Sequence, residues 1–430
     1  MLGYVITMAN PLLMSSASSA MVSVLNQVDT NVHASPFAYR YAQDLKGSSF
    51  SACAKQFLEI QPNGSKVLGG IIDFPITKNG LLAGLIVKMT LNKTATFGIN
   101  NSIGALQIEE MQLVTNGRVL FSQTAEGLLS LIANMPYQSR KTLEDMLLLQ
   151  SGGDGTVNPG STTSNIHYVP ALFSCFESME GFLNCNFSEP LTLRLRMASA
   201  NTYCATDVDS DATQNITLGD ITLIAQYVQL PANVEQSLIQ HNFGSGENLS
   251  TINWDLIHEF TDGTLSAGSS STITHEVKTN RLVNEAYIVL TSGLGDHSNV
   301  IDNVGMGLEL DTIKIESNGQ VIAELDAKVV GSLAGESFDD WGYSESSYYD
   351  RSSRADGTNY RYKFNFGLTK DTRRVFGAVS TRELNSFRFV VTTANAGATQ
   401  TAGRLHVIFK SPMLISHSAE SGRITSSISS

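Results

Sequence analysis

What this chain has least of is charge. Lys, Arg, Asp and Glu together make up 16% of its 430 residues, against roughly 25% in an ordinary soluble chain. Basic charge is the scarcer sign: 28 Lys and Arg face 40 Asp and Glu, for a formal net charge of −12. The first basic residue is Arg40, and no run of five or more occurs. A nucleic-acid binder needs such residues to neutralise phosphates and release counterions, so the composition speaks against direct, sequence-specific nucleic-acid binding. Cysteine is nearly as sparse. Cys53, Cys175, Cys185 and Cys204 show no C-x-x-C spacing and read as buried free thiols rather than a disulfide framework. Long apolar runs are missing too. The first 28 residues are apolar and uncharged, but Pro11 and the serines between 15 and 19 interrupt them, and a spanning helix needs roughly 18 apolar residues in a row. A secretory signal would begin with positive charge, which this stretch lacks. The plainer reading is an N-terminal arm, residues 1–48, packed on its own or a neighbouring subunit. An arm lying against lipid is the sharper one.

Catalytic signatures are also absent. The chain has no G-x-x-x-x-G-K-[ST], no G-x-S-x-G and no H-E-x-x-H, the short motifs whose mechanics would point to an enzyme. Ser292-Gly293-Leu294-Gly295-Asp296-His297-Ser298 imitates a dinucleotide loop. Ser298 stands where the third glycine belongs, however, and no helical pattern follows, which leaves a strand-end loop. Its Asp296, His297 and Ser298 are neighbours in sequence, whereas relay residues must converge through the fold. Asp207-Val208-Asp209-Ser210-Asp211 opens like a calcium loop, yet Ala212 and Leu218 occupy the places of its Gly and Glu. A solvated acidic loop is the default there, with a weakly held cation as the alternative. The eight His residues are scattered, which disfavours zinc. Six N-x-[ST] sequons, beginning at Asn63, Asn92, Asn100, Asn186, Asn215 and Asn248, follow from a composition rich in Asn, Ser and Thr. No catalytic, cofactor-binding or metal residue is assigned, no cofactor is expected, and the chain reads as a non-enzyme. Trp254 and Trp341 read as core or interface packing rather than sugar platforms.

What is present is the pattern of an all-β protein. Short runs bounded by turn residues read as strands, among them Leu85–Thr90, Leu106–Val114, Arg118–Phe121, Leu191–Met197, Ala286–Thr291, Leu308–Ile315, Val321–Leu325 and Phe387–Thr392. In Leu191–Met197 the alternation puts Leu193, Leu195 and Met197 on one face. YRYKFNF at 360–366 does the same with aromatic rings. Two helices interrupt the pattern: Thr124–Asn134, stopped by Pro136, and Arg140–Gln150, ended by Gly152-Gly153. Two long loops, 152–163 and 337–356, are of the kind that carries contacts or function.

The halves repeat each other. IEEMQLVTNGRVL (108–120) lies over LDTIKIESNGQVI (310–322), matching Asn116, Gly117 and Val119. Upstream, 74–90 lies over 275–291, and downstream 191–199 lies over 387–395. Asn-Gly is a common hairpin turn because both residues tolerate φ > 0, so one block proves little; three in the same order and near-constant spacing argue for two copies of one domain. The expected layout is an arm at 1–48, a first domain at 49–231, a linker at 232–249, a second domain at 250–415 and a tail at 416–430.

Two tandem β-domains with an N-terminal arm, long loops and a helical insertion resemble the double-jelly-roll major capsid proteins of the tectivirus, adenovirus and large DNA virus lineage. NGRVLFSQTAEGLL (116–129) and FGAVSTRELNSFRFVV (376–391) carry the likeness. The resemblance covers roughly residues 50–415 and implies two jelly-roll sandwiches side by side. It further implies a homotrimer presenting six lobes as a near-hexagonal tile, neighbouring capsomers and minor capsid or penton proteins as partners, and a place in the virion after synthesis in the host cytoplasm. In such a shell an uncharged arm suits an underlying membrane better than bare genome. The rival readings are a tandem β-sandwich carbohydrate-binding or adhesion protein and, more weakly, a cupin-type enzyme, which would need a clustered His/Glu metal set.

Overall fold

The structure is a computed structural model that describes residues Ala54 to Ile428 apart from 230–248, 293–307, 327–360 and shorter stretches, chiefly 136–141, 148–155, 158–163, 206–215, 367–377 and 394–401. The first lobe holds β1 (Ala54–Ile60), β2 (Ile71–Pro75), β3 (Leu81–Lys93), β4 (Gly98–Asn100), β5 (Ile108–Thr115) and β6 (Arg118–Thr124). It continues with β7 (Thr156–Val157), β8 (Ser164–Pro170), β9 (Leu183–Asn184), β10 (Leu191–Met197), β11 (Cys204–Ala205) and β12 (Ile216–Gln229). Two helices, α1 (Ile103–Leu106) and α2 (Ala125–Ala133), lie between these strands. The second lobe holds β13 (Leu249–Thr264), β14 (Thr272–Glu276), β15 (Leu282–Val283), β16 (Glu285–Ser292), β17 (Leu310–Ser317) and β18 (Gln320–Asp326). After these come β19 (Tyr362–Asn365), β20 (Val379–Ser380), β21 (Arg388–Thr393), β22 (Ala402–His417) and β23 (Ile424–Ile428).

Each lobe is a pair of antiparallel sheets. In the first the orders are β1-β12-β3-β8 and β2-β10-β5-β6; in the second, β13-β22-β16-β19 and β14-β21-β17-β18. Counting only these eight strands per lobe, both lobes read 1-8-3-6 and 2-7-4-5. The repeat holds to the residue. Across the second sheet of lobe one, Phe74, Leu193, Leu113 and Phe121 stand in one row; across its counterpart the row is His275, Phe389, Ile315 and Ala323. The first three of each row are positions that the three sequence blocks lay over one another, and Phe121 and Ala323 follow one residue beyond the first block at the same spacing. Even the β-bulge after Leu113 recurs after Ile315. Both hairpins turn on Asn-Gly with positive φ: 45° and 76° at Asn116-Gly117, 54° and 74° at Asn318-Gly319. Both angles positive is what a two-residue hairpin matched to strand twist requires.

Alternation places the cores. Leu191, Leu193, Leu195 and Met197 of β10 are buried in the first core. Tyr362, Phe364 and Phe366 join the second. Helix α2 forms over the expected stretch; of the helix expected at 140–150 only parts fall within the described residues, with Leu147 buried in the first core. The C-terminal boundary needs correction. Residues 416–430 are not a tail beside the sandwich: β22 runs to His417, and β23 pairs back along it from Met413 to His417. Serines in 421–430 hide the strand, because its burial comes from a neighbouring lobe rather than from its own composition. Ile424, together with Met413 and Ile415 of β22, belongs to the core cluster of the first lobe.

Candidate functional site: the seam between the lobes

The most heavily built feature of the molecule is where its two lobes meet. Strand β6 and helix α2 of the first lobe lie on the outer face of the β13-β22-β16 sheet of the second. Leu131 of α2 packs with Trp254, Leu256, Tyr287 and Ile408. Gly127 allows the close approach: a Cβ there would sit 3.1 Å from Leu256 Cδ1.

Around this apolar patch the seam is charged and buried. Arg361 is fully buried. Its Nη1 donates to the Glu126 carbonyl at 3.2 Å and to Ser130 Oγ at 3.0 Å, while Nη2 pairs with the Glu126 carboxylate at 2.8 Å. Burial alone would push Glu126 up; the Arg361 guanidinium wins and holds its carboxyl below the usual range. Beside them His258 Nε2 and His406 Nδ1 share a hydrogen bond of 2.9 Å, and His406 Nε2 meets Thr291 Oγ1 at 3.1 Å. Burial drives His406 down to about 3, so both partners of this pair are neutral at neutral pH. A second cluster surrounds Glu285: it pairs with Lys363 at 3.2 Å and Lys410 at 3.7 Å and accepts from Tyr287 Oη at 2.7 Å. Against the cost of burial, these partners hold its carboxyl down to about 2. Lys410 Nζ also lies 4.6 Å over the Trp254 ring, whose Nε1 donates to Glu177 of the first lobe at 3.0 Å. The Ser122 amide donates to Asp255 Oδ1 at 3.3 Å, and burial raises Asp255 to about 6.

At the far end the β22–β23 hairpin clasps the first lobe. The Glu189 amide donates to the Gly422 carbonyl at 3.0 Å, and Ser426 Oγ donates to the Val119 carbonyl at 3.5 Å. Gly422 has φ +65°, and a Cβ on it would meet the Phe187 carbonyl oxygen at 2.2 Å.

None of this is catalytic geometry; it is mutual satisfaction of buried polar groups, which fixes one arrangement of two bodies. Among the described residues no three or more His, Cys, Asp or Glu side chains gather as a metal site, and no helix is long and apolar enough to cross a membrane. Cys175 and Cys185 are free and buried, their thiols pushed up by burial, Cys185 to about 12. Ser292 ends β16; Gly293–Ser298, Asp207–Asp211, Trp341, Cys53, the arm 1–48 and the loop 337–356 lie outside the described residues, as does most of the loop 152–163. Trp254 is in the seam, as its reading as a packing residue required. Arg361 was invisible in the sequence, where it reads as the solvent-facing partner of aromatic neighbours.

No protein-family model matches the chain, and no curated protein does. Solved structures do. PBCV-1 VP54, fitted into a reconstruction of the virophage Sputnik, superposes with a TM-score of 0.65 at 13% identity, covering 89% of this chain and 97% of that one. The Faustovirus major capsid protein gives 0.56 at 12% identity over 95% and 98% of the two chains, and the mavirus major capsid protein 0.53 at 11% over 91% and 94%. Eight strands in the order 1-8-3-6 and 2-7-4-5, twice, make each lobe a jelly roll. The chain is a double jelly roll. Since single superpositions cover both lobes, the likeness of this double jelly roll to viral capsid proteins extends to the way its halves are set against each other. At such identities it is a likeness of fold.

Proposed function

We propose that this double jelly roll is the major capsid subunit of an icosahedral virus, working as a homotrimer whose six lobes form a pseudo-hexagonal tile over an internal membrane. The observation that carries the reading is residue-level repetition of one sandwich, welded into a fixed pair. Two like lobes locked by a buried seam let threefold symmetry imitate sixfold, which a pair of lobes free to swivel could not do. An obligate shell contact commonly buries 2,000 Å² or more, and a surface low in charge suits extensive covering by neighbours. In this reading the tiles meet neighbouring capsomers and minor capsid or penton proteins, and the uncharged first 28 residues of the arm lie toward the membrane. Light scattering on the purified chain, with negative-stain images, tests it. A mass three times the 46.4 kDa of the chain and a hexagonal outline are expected. A stable monomer that binds glycans would replace this reading with the adhesion one.

A further inference from the structure

Each lobe shows what this sandwich needs at a given position of the other, and at one place lobe two departs from its twin. Ile60 and Glu259 hold the same register position: each faces the strand neighbour, Leu223 or Val407, that pairs in turn with Val87 or Ile288. Phe74 and His275 are likewise equivalent, opposite Leu193 and Phe389. In lobe one this pair is apolar and belongs to the first core. In lobe two His275 is fully buried, and its ring is bonded at both ends. Nε2 lies 2.9 Å from Glu259 Oε2, and Nδ1 lies 2.8 Å from Thr261 Oγ1. The Lys278 amide donates to the same Glu259 oxygen at 3.0 Å. Burial raises the Glu259 carboxyl, but the bonds from His275 and Lys278 outweigh it and hold it below the usual range. An ionised carboxylate only accepts, so in the neutral ring the proton sits on Nε2, and Nδ1 is left to accept from the Thr261 hydroxyl. Carboxylate, imidazole and hydroxyl in that order, with the tautomer of the base fixed by the acid, is the arrangement that activates a hydroxyl as a nucleophile.

We propose that Thr261 is a modification site, a hydroxyl primed by His275 and Glu259 to take an acyl group from an activated ester. Packing does not call for the relay, because lobe one fills the same two positions with Ile60 and Phe74; a buried polar set that breaks the local rule is where a fold carries something besides its own stability. Access fits as well. Strands β13 and β14 are the end strands of their two sheets, so the relay spans the open rim of the sandwich. The imidazole lies inside, and Thr261 is half-buried at the rim. In the reaction the Thr261 oxygen attacks the ester carbonyl and its proton passes to His275 Nδ1. The bond from the carbonyl carbon to the leaving oxygen breaks, and His275 returns the proton to that oxygen. The products are a Thr261 ester and a free alcohol, with no change of oxidation state. His275 touches the reacting hydroxyl, whereas Glu259 acts through His275 and is a positioning residue.

Treating the full-length chain with p-nitrophenyl acetate near neutral pH, and mapping acetylated peptides by mass spectrometry, tests the assignment. Lysines take the same reagent but give amides, so the signal is a hydroxylamine-labile acetyl group on the peptide that holds Thr261. Thr261→Val, which keeps the shape of the side chain, is expected to abolish it. Glu259→Ile combined with His275→Phe installs the pair that lobe one already packs. This double variant is expected to keep the wild-type circular dichroism while its Thr261 is labelled about 100-fold more slowly, the usual worth of a positioned general base. Glu259→Gln is expected to change the pH profile of labelling, since the carboxylate no longer faces the proton that His275 takes up. No ester at Thr261 in wild type, or an ester that forms in the double variant at the wild-type rate, would overturn the assignment. An unchanged pH profile in Glu259→Gln would overturn the part given to Glu259 and make it a clip across the rim.

Discussion

At the scale of single residues the seam stakes most on Glu126 and Arg361. A buried ion pair gains little over an apolar pair of the same shape, but removing one partner leaves the other charge stranded, at a cost of about 3–5 kcal/mol. Glu126→Gln and Arg361→Met are each expected to destabilise the chain by that amount in urea, and the double variant by much less than their sum; simple additivity would mean that the two do not depend on each other. His406 gives the seam a pH dependence. Its folded pKa of about 3 lies below the ordinary 6.5, so in that window the unfolded chain binds a proton that the folded chain refuses. The associated stability is complete above about pH 6.5 and falls as the pH drops toward 3. Asp255, raised to about 6, works in the opposite direction, so the histidine is best isolated by difference. Between pH 7 and 4 wild type is expected to lose up to about 3 kcal/mol more than His406→Gln, and parallel pH profiles would show that His406 is not the group responsible.

Secondary elements divide sharply into those readable from composition and those not. Strand β10 was legible to its ends, because both its faces obey local rules: leucines in, Arg194 and Arg196 out to Asp73 and Glu109. The Asn-Gly hairpins and α2 were legible for the same reason. Strands β1 and β8 were not, since each carries an apolar residue outward, Phe57 and Ile166, and polar or proline residues blur the rest. Strand β23 was missed because, although it pairs with neighbouring β22, the core that buries its Ile424 belongs to sequence-distant lobe one. Of the seam only Trp254 was read as a packing residue: His406, Lys410 and Arg361 look like surface residues until another body is laid on them. The β22–β23 hairpin gives the element-scale test. At Gly422 a side chain would need a strained positive φ and would strike the Phe187 carbonyl. Gly422→Ala is therefore expected to cost roughly 1–3 kcal/mol and to raise hydrogen exchange along β23; unchanged exchange there would show that the clasp is not anchored at this turn.

For the molecule as a whole, the question is whether two lobes make two folding units or one. Duplication alone favours two, since each sandwich has its own pair of sheets and its own core. The contacts argue otherwise. Met413, Ile415 and Ile424, contributed by the last strands of the chain, complete the core of the first lobe, while α2 of that lobe roofs the outer face of the second. Lobe one is thus unfinished until the end of the chain arrives, and the outer sheet of lobe two holds buried ionised groups that would face water, or nothing, if its roof lifted. Calorimetry on the full chain, at a concentration where the assembly state is constant, is expected to show one transition with equal calorimetric and van't Hoff enthalpies. Ile424→Ala, a deletion in the core of lobe one made on a strand of lobe two, should lower that single transition by about 2–5 kcal/mol without splitting it. Two separate transitions, only one of them moved by Ile424→Ala, would mean that the lobes fold independently and that the seam is a contact between finished domains.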